Sequence, residues 1–190
     1  PMLKDFYKSA IWENGLQIVL AGELDESHIE LLNQTIGQIP FPKIQVEAPQ
    51  YDIPKTQAGK IYEEQEDALQ SSIKIGKTML IRGHEEQIPF QVTNAILGGY
   101  FGSRLMKNIR EEKGLTYGIH SSISFLKNTG VWSIGADVAK EKKDLALEEI
   151  YKEIRVLQTE AVSAEELELV KNYICGSFVK SINSPIPIAN

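Results

Sequence analysis

Two side chains that can donate hydrogen bonds stand close together in the stretch IREEKGLTYGI, residues 109–119. Arg110 falls near the end of a predicted helix and offers a fork of N–H groups suited to carbonyl or carboxylate oxygens. Tyr117 follows a tight turn at Gly114, so its hydroxyl can point into the same space. Such a pair could stabilise an oxyanion on a substrate carbonyl, with the nucleophile supplied from elsewhere. The residues alone favour the alternative of a surface arginine and a packed strand tyrosine.

The three histidines do not predict a self-sufficient metal site. A zinc helix needs two ligands one turn apart, as in H-E-x-x-H or its inverse H-x-x-E-H. His84 begins such a pattern, but Ile88 stands where the second histidine is needed. His28 has no histidine partner, and His120 lies in a predicted strand. We therefore expect all three to be surface or structural residues, and no metal to be bound by this chain.

Other catalytic classes are not favoured by the motifs. The glycine-rich stretch 98–104, GGYFGSR, lacks the spacing of G-x-x-x-x-G-K-[ST] and follows a helical pattern instead of a strand. It is interpreted as a turn between helices whose glycines permit close packing. Neither G-x-S-x-G nor a Cys and His pair indicates a nucleophile. Adjacent glutamates are interpreted as solvated helix faces, at 63–64, 111–112 and 165–166.

The composition excludes several kinds of partner. The 190 residues carry a formal net charge of −6, and the basic residues are spread along the chain, which argues against nucleic acid. No apolar run approaches the roughly 20 residues of a membrane span, so no membrane is expected. The single cysteine, Cys175, excludes an intrachain disulfide. Its apolar neighbours predict a buried, inert thiol.

The first part of the chain is predicted to form a strand and a helix. LQIVLAGEL, Leu16 to Leu24, has the composition of a buried strand. Asp25 can cap the helix that follows, which Gly37 and Pro40 should end. Residues 41–65 contain prolines and few clustered apolar residues, so this stretch is interpreted as a connector.

The rest of the chain predicts a sheet with helices. LQSSIKIG (69–76) alternates like a half-buried strand, and Pro89 should begin a helix that Gly98-Gly99 breaks. Ser103 can cap the next helix. TYGIHSSISF and GVWSIGADV predict a hairpin. Two amphipathic helices follow, the second with a capping box at Ser163 and Glu166. This order predicts an antiparallel or mixed sheet with helices on one face.

The stretch LGGYFGSRLMKNIREEKGLTYGIHSS resembles the second-domain signature of the insulinase/pitrilysin-type zinc metallopeptidases, which include the mitochondrial processing peptidases. LQSSIKIG and SAEELELVK resemble a strand and a helix of the same domain. The resemblance implies an α+β fold, a two-layer sandwich of a mixed, mostly antiparallel sheet with helices on one face. It also implies the end of a first peptidase-like domain at 1–40, the connector at 41–65, and a second, non-zinc, substrate-binding domain at 66–190, which is expected to be truncated.

The resemblance also implies catalytic and substrate-binding roles for Arg110 and Tyr117. In the family, an arginine and a tyrosine seven positions later reach the substrate at the zinc site, hold the peptide backbone and help to polarise the scissile carbonyl. Arg110 and Tyr117 have this spacing. The resemblance therefore reverses the preference for a merely structural pair.

The zinc-binding H-x-x-E-H of that family precedes the segment LQIVLAGEL and is absent from these residues. Zinc is accordingly expected in the complete enzyme, either in a first domain of the same protein or in a partner subunit of a homodimer or heterodimer. The implied function is the substrate-binding portion of a zinc-dependent metalloendopeptidase that hydrolyses peptides. The alternative is a catalytically inactive scaffold or assembly protein with the same fold, as in the core subunits of respiratory complex III.

Overall fold

Three antiparallel strands form the sheet that positions the site in the computed structural model. They are β1 (Gln70–Met79), β2 (Thr116–Phe125) and β3 (Gly130–Ala139), in the spatial order β1-β3-β2. β3 is therefore the central strand, paired on both sides. The sequence prediction of β1 and of the β2–β3 hairpin is confirmed, although the hairpin residues Lys127 and Asn128 lie outside the described residues.

The structure describes residues 2–7, 9–10, 18–40, 57–126 and 129–183. The chain divides into two units, one of Pro1–Asp52 with Gly176–Asn190 and one of Ile53–Cys175. Much of the predicted connector lies outside the described residues. None of the helices within these ranges is long and apolar enough to cross a membrane.

Helices cover one face of the sheet in the unit Ile53–Cys175. α3 is followed by a π-helical turn, a second π-helix precedes β2, and α4 and α5 follow β3. Their bounds are α3 Gln87–Asn94, the turn Ala95–Gly99, the π-helix Met106–Glu112, α4 Lys143–Thr159 and α5 Ala164–Ile182. The predicted α+β sandwich with helices on one face is confirmed, and the described strands are antiparallel throughout.

Alternation along the strands explains why one face of the sheet is buried. Successive strand residues point to opposite faces, so residues two apart share the face that meets the helices. The resulting core joins strand and helix residues: Ile73, Leu97, Leu105, Met106, Ile109, Leu115, Ile119, Ile134, Ala136, Val138, Ala146 and Ile150. Burying this apolar surface is the main favourable contribution to the fold of this unit.

The other unit contains α1 (Met2–Tyr7), α2 (Glu26–Gln34) and a short 3₁₀ turn. The predicted cap of α2 is confirmed, because the Asp25 carboxylate accepts a hydrogen bond from the Ser27 N–H at 2.9 Å. The predicted strand Leu16–Leu24 is wrong over 18–24, where no strand is formed. A strand requires a neighbour for its backbone hydrogen bonds, and the described residues provide none there.

Three local predictions need correction. Cys175 is exposed, because it follows the half-buried Ile174 and one helical step of about 100° turns it away from the buried side of α5. The third helix begins at Gln87, which places Pro89 inside the first turn, where its missing N–H costs little. Ser103 accepts the first helical hydrogen bond through its carbonyl, but its buried hydroxyl has no partner among the described residues and does not cap.

Candidate functional site

A tight turn brings Arg110 beside Tyr117. Arg110 lies in the π-helix Met106–Glu112, and Tyr117 is the second residue of β2. Gly114 between them has a φ of +57°, in the left-handed region that glycine enters without steric cost. The Leu115 N–H then donates back to the Ile109 carbonyl at 2.9 Å, which closes the helix end. The strand therefore starts directly beside the last turn of the helix.

The Arg110 guanidinium is attached to Tyr117 itself. Its Nε donates a hydrogen bond to the Tyr117 main-chain carbonyl at 2.9 Å. Its central carbon lies 4.7 Å from the centre of the Phe101 ring, within the range of a cation–π contact. Among the described residues, no carboxylate lies within ion-pair distance of this guanidinium. The inner N–H of the fork is thus used within the protein, and the two terminal NH2 groups remain available.

A β-bulge places the Tyr117 side chain at the surface. β2 pairs regularly with β3 from Ile119 onwards, whereas Tyr117 and Gly118 together oppose the single residue Asp137. The Thr116 hydroxyl stabilises this irregularity: it accepts a hydrogen bond from the Gly118 N–H at 3.2 Å and lies 2.6 Å from the Asp137 carbonyl, to which it donates. Tyr117 is 94% exposed and is therefore not a packed strand tyrosine.

The loop that carries Phe101 is anchored on both sides. The rings of Tyr100 and Tyr173 lie 4.8 Å apart, centre to centre. On the other side, Arg104 forms two hydrogen bonds to the Glu166 carboxylate, from Nε at 2.9 Å and from Nη2 at 2.7 Å. Both contacts attach the loop to α5. Phe101 between these anchors is 64% exposed.

Charges around these anchors shift three pKa values. The hydrogen bonds from Arg104 hold the pKa of Glu166 below its ordinary value, and the same interaction raises the pKa of Arg104. Burial raises the pKa of Tyr100, with a smaller contribution from the negative charge of Glu166. The Arg104–Glu166 pair is accordingly ionised at neutral pH, and Tyr100 is neutral.

A polar network holds the π-helix against α4. Asn108 Nδ2 donates to Glu149 at 2.9 Å and to Glu153 at 2.7 Å. Lys113 and Lys152 lie 3.5 and 3.6 Å from the Glu149 carboxylate. The Asn108 hydrogen bond, followed by the two lysine charges, lowers the pKa of Glu149. The helix that presents Arg110 is thereby attached to α4.

The sequence as a whole matches a known family. The model of the family described as "Peptidase M16 inactive domain" matches residues 1–174. The chain belongs to this family. The resemblance to the insulinase/pitrilysin-type zinc metallopeptidases is thus confirmed.

Individual relatives of this M16 inactive domain are longer. An uncharacterized zinc protease YmxG of Bacillus subtilis is 27% identical over 169 residues, which cover 88% of this chain and 40% of the relative. A non-peptidase homolog YmxG of Helicobacter pylori is 26% identical over 92% of this chain and 40% of its own length. The crystal structure of a peptidase M16 inactive domain from Pseudomonas fluorescens shares 26% identity at a TM-score of 0.63, over 82% of this chain and 38% of that one. The chain thus spans well under two thirds of their length.

The described histidines of this M16 domain do not come together to form one metal site. The His28 Nδ1 atom lies 2.8 Å from the Asp25 carboxylate in the cap of α2, and His84 Nδ1 accepts a hydrogen bond from the Glu86 N–H at 3.1 Å. His120 is exposed on β2. In the parts of the chain that the structure describes, no three His, Cys, Asp or Glu side chains are grouped to hold a metal ion. A zinc ion therefore does not fit the described residues.

Sequence reasoning missed Phe101 and Thr116 as parts of the site. Phe101 lies within the glycine-rich stretch, which was interpreted only as a turn. An aromatic residue between glycines in a surface turn is a usable signal, because it has no local apolar partner to cover it. Thr116 carries no such signal, since a threonine in a strand is ordinary and the bulge that it stabilises depends on the pairing with β3.

Proposed function

We propose that this M16 inactive domain is the substrate-binding, non-zinc portion of a zinc-dependent metalloendopeptidase that hydrolyses peptides. In this proposal, Arg110 and Tyr117 hold the substrate and assist at the scissile carbonyl. The observation that carries it is the 2.9 Å hydrogen bond from Arg110 Nε to the Tyr117 carbonyl, which joins the two residues while the Tyr117 side chain stays exposed. A guanidinium held in place before the substrate arrives loses less conformational freedom on binding.

The chemistry of the pair suits the development of negative charge on a carbonyl oxygen. When a water molecule attacks a peptide carbonyl, its oxygen becomes an oxyanion, which gains more from hydrogen-bond donors than the neutral carbonyl does. Arg110 supplies charged N–H donors and Tyr117 supplies a neutral O–H donor. Neither is a base at neutral pH, so the attacking water would be activated elsewhere in the assembly.

An extended peptide is the substrate that the neighbouring backbone favours. The order β1-β3-β2 leaves one side of β2 without a partner strand among the described residues. A peptide that added itself to this edge would exchange main-chain hydrogen bonds with β2, a common mode of peptide recognition. Tyr117 lies near the beginning of the same strand, so such a peptide would pass beside it.

A scaffold role is the second candidate, and one observation favours it. The Helicobacter pylori relative is described as a non-peptidase homolog. In that case the domain would serve assembly, the zinc-bearing domain or partner subunit would be replaced by a structural partner, and Arg110 and Tyr117 would perform no chemistry.

Cleavage of an unstructured, internally quenched peptide by the complete zinc-loaded protein tests the proposal. We expect Arg110→Lys to lower kcat/KM by about tenfold to a thousandfold, because lysine lacks the planar fork that binds the Tyr117 carbonyl through one N–H and leaves two NH2 groups for the substrate. The matched control is Arg155→Lys on the exposed side of α4, which should leave the rate unchanged. A folded, zinc-loaded wild-type protein that does not cleave the peptide would favour the scaffold.

A further inference from the structure

The aromatic ring of Phe101 lies at the same site as Arg110 and Tyr117. The roles proposed for those two residues do not use it. One face of the ring contacts the Arg110 guanidinium, 4.7 Å from the ring centre. The side chain is nevertheless 64% exposed. The ring therefore has a second, free surface directly beside the charged group that is proposed to hold the peptide.

The loop fixes where this ring lies. Gly102 is covered by the ring of Tyr100, and a Cβ atom at Gly102 would come within 2.8 Å of Tyr100 Cε2. Tyr100 in turn packs on Tyr173. Arg104, which follows the loop in the chain, forms an ion pair with Glu166. A side chain between two such anchors has a restricted set of positions, so the exposed ring is presented to solvent instead of being free to fold back onto the core.

The ring also restricts the guanidinium. The hydrogen bond from Arg110 Nε to the Tyr117 carbonyl fixes one edge of the guanidinium plane. Rotation about that edge is limited by the ring of Phe101 on one side, because the quadrupole of an aromatic face attracts a cation. Together, the two contacts set the direction in which the terminal NH2 groups point. A leucine would fill the same space without providing this attraction.

We propose that Phe101 is a positioning and specificity-determining residue of the peptide site, an inference that rests on the proposed function. The face of its ring toward Arg110 holds the guanidinium in the orientation that binds the substrate carbonyl. Its free surface binds an apolar side chain of the substrate residue adjacent to the bond held by Arg110 and Tyr117. The substrates preferred by this protein are therefore extended peptides with a bulky apolar residue next to the cleaved bond.

The two roles of the ring predict separate kinetic effects. Loss of the guanidinium contact affects the transition state of every peptide and should lower kcat about two- to thirtyfold, the equivalent of a cation–π contact. Loss of the free surface affects only substrates with an apolar residue at that position and should raise their KM. Phe101→Leu removes the aromatic face but leaves an apolar surface, Phe101→Ala removes both, and Phe101→Trp retains both.

The experiment uses the complete zinc-loaded protein and two unstructured, internally quenched peptides. The peptides differ only by Leu or Gly beside the bond that mass spectrometry shows to be cut. We expect Phe101→Leu to lower kcat for both peptides, Phe101→Ala to remove the KM preference for the Leu peptide as well, and Phe101→Trp to keep both near the wild-type values. Tyr62→Leu is the matched control, because Tyr62 is also an exposed ring beneath a cation, Lys143 at 4.7 Å.

The outcomes separate this inference from the proposed function. Cleavage by the wild type with unchanged kinetics in Phe101→Leu overturns the role of Phe101 and leaves the roles of Arg110 and Tyr117 intact. The same conclusion follows if Phe101→Trp is no better than Phe101→Leu. A wild-type protein that cleaves neither peptide overturns the proposed function and this inference together. An equal melting temperature of wild type and Phe101→Leu shows that the variant is folded.

Discussion

At the scale of single residues, the arrangement of Arg110 divides its donors between two tasks. The Nε–H donates to the Tyr117 carbonyl, and the two terminal NH2 groups have no hydrogen-bond partner among the described residues. A lysine at this position would offer no such division, since its three N–H donors radiate from a single nitrogen atom on a flexible stem and form no planar fork. The planar fork of arginine therefore joins the helix to the strand and leaves two NH2 groups for the proposed contact with the substrate.

Removing the hydroxyl of Tyr117 tests its role as a donor most directly. In the complete zinc-loaded protein, we expect Tyr117→Phe to lower kcat about tenfold to a thousandfold, the range for loss of one oxyanion donor. KM should change little, because the donor acts mainly in the transition state. The melting temperature should stay the same, because Tyr117 is 94% exposed and its hydroxyl has no partner among the described residues. Steady-state kinetics with a quenched peptide provides the measurement, and an unchanged kcat would refute the role.

At the scale of elements, the regular segments could be predicted from the sequence and the irregular ones could not. β1, the β2–β3 hairpin, α4 and α5 have apolar periods of two or close to 3.6, and the structure contains all of them. The signature stretch was predicted as a turn followed by a helix, but its helical residues adopt π geometry in Met106–Glu112. A shift from α to π hydrogen bonding changes the spacing of apolar residues too little to be recognised in the sequence.

In the candidate site, too, local features could be predicted from the sequence and features that depend on tertiary structure could not. The pairing of Arg110 with Tyr117 was accessible, because their spacing and the glycine between them are local features. The exposure of Tyr117 could not be predicted from the sequence, because it results from the bulge opposite Asp137. That bulge depends on how β2 aligns with β3. The stacking of Phe101 on Arg110 was equally inaccessible, since it requires the loop and the helix to be folded together.

The Arg104–Glu166 pair links the start of the signature helix to α5, and its stability should depend on pH. The pKa of Glu166 is lowered in the folded protein by its hydrogen bonds to Arg104. A carboxyl with a lowered folded pKa stabilises the fold above its ordinary pKa of about 4.3, and this contribution disappears as the pH falls through the folded value. We expect Glu166→Gln to lower the free energy of unfolding at pH 7 by about 1–2 kcal/mol. The difference from wild type should shrink between pH 5 and pH 3.

Urea denaturation of both proteins at several pH values measures this difference. Glu165→Gln is the matched control, because Glu165 occupies the same first turn of α5 but is exposed. Its effect should stay within about 0.5 kcal/mol at every pH. A gap between wild type and Glu166→Gln that stays constant from pH 7 to pH 3 would show that ionisation of Glu166 does not contribute to the stability of the fold.

In the whole molecule, the metal is proposed to lie in a different part of the protein from the residues that donate hydrogen bonds to the substrate. Among the described residues, no three metal-ligating side chains are grouped, while the Arg110 guanidinium contacts the Tyr117 backbone. If the activity needs both, it belongs to the assembled protein, and the chain covers only 40% of the relatives from Bacillus subtilis and Helicobacter pylori. Whether the histidines of this chain hold the zinc can therefore be tested directly.

Zinc content measured in the complete protein should not depend on any histidine of this chain. We expect the triple substitution of His28, His84 and His120 by glutamine to leave the number of zinc ions per protein unchanged after dialysis. The reason is geometric: the Nδ1 atoms of His28 and His84 bind neighbours in the chain, and His120 has no grouped ligands around it among the described residues. Chelation should still abolish peptide cleavage in wild type and variant alike, because the metal is held elsewhere. Loss of zinc from the triple variant, measured by elemental analysis, would place a ligand in this domain and contradict the separation of metal from substrate donors.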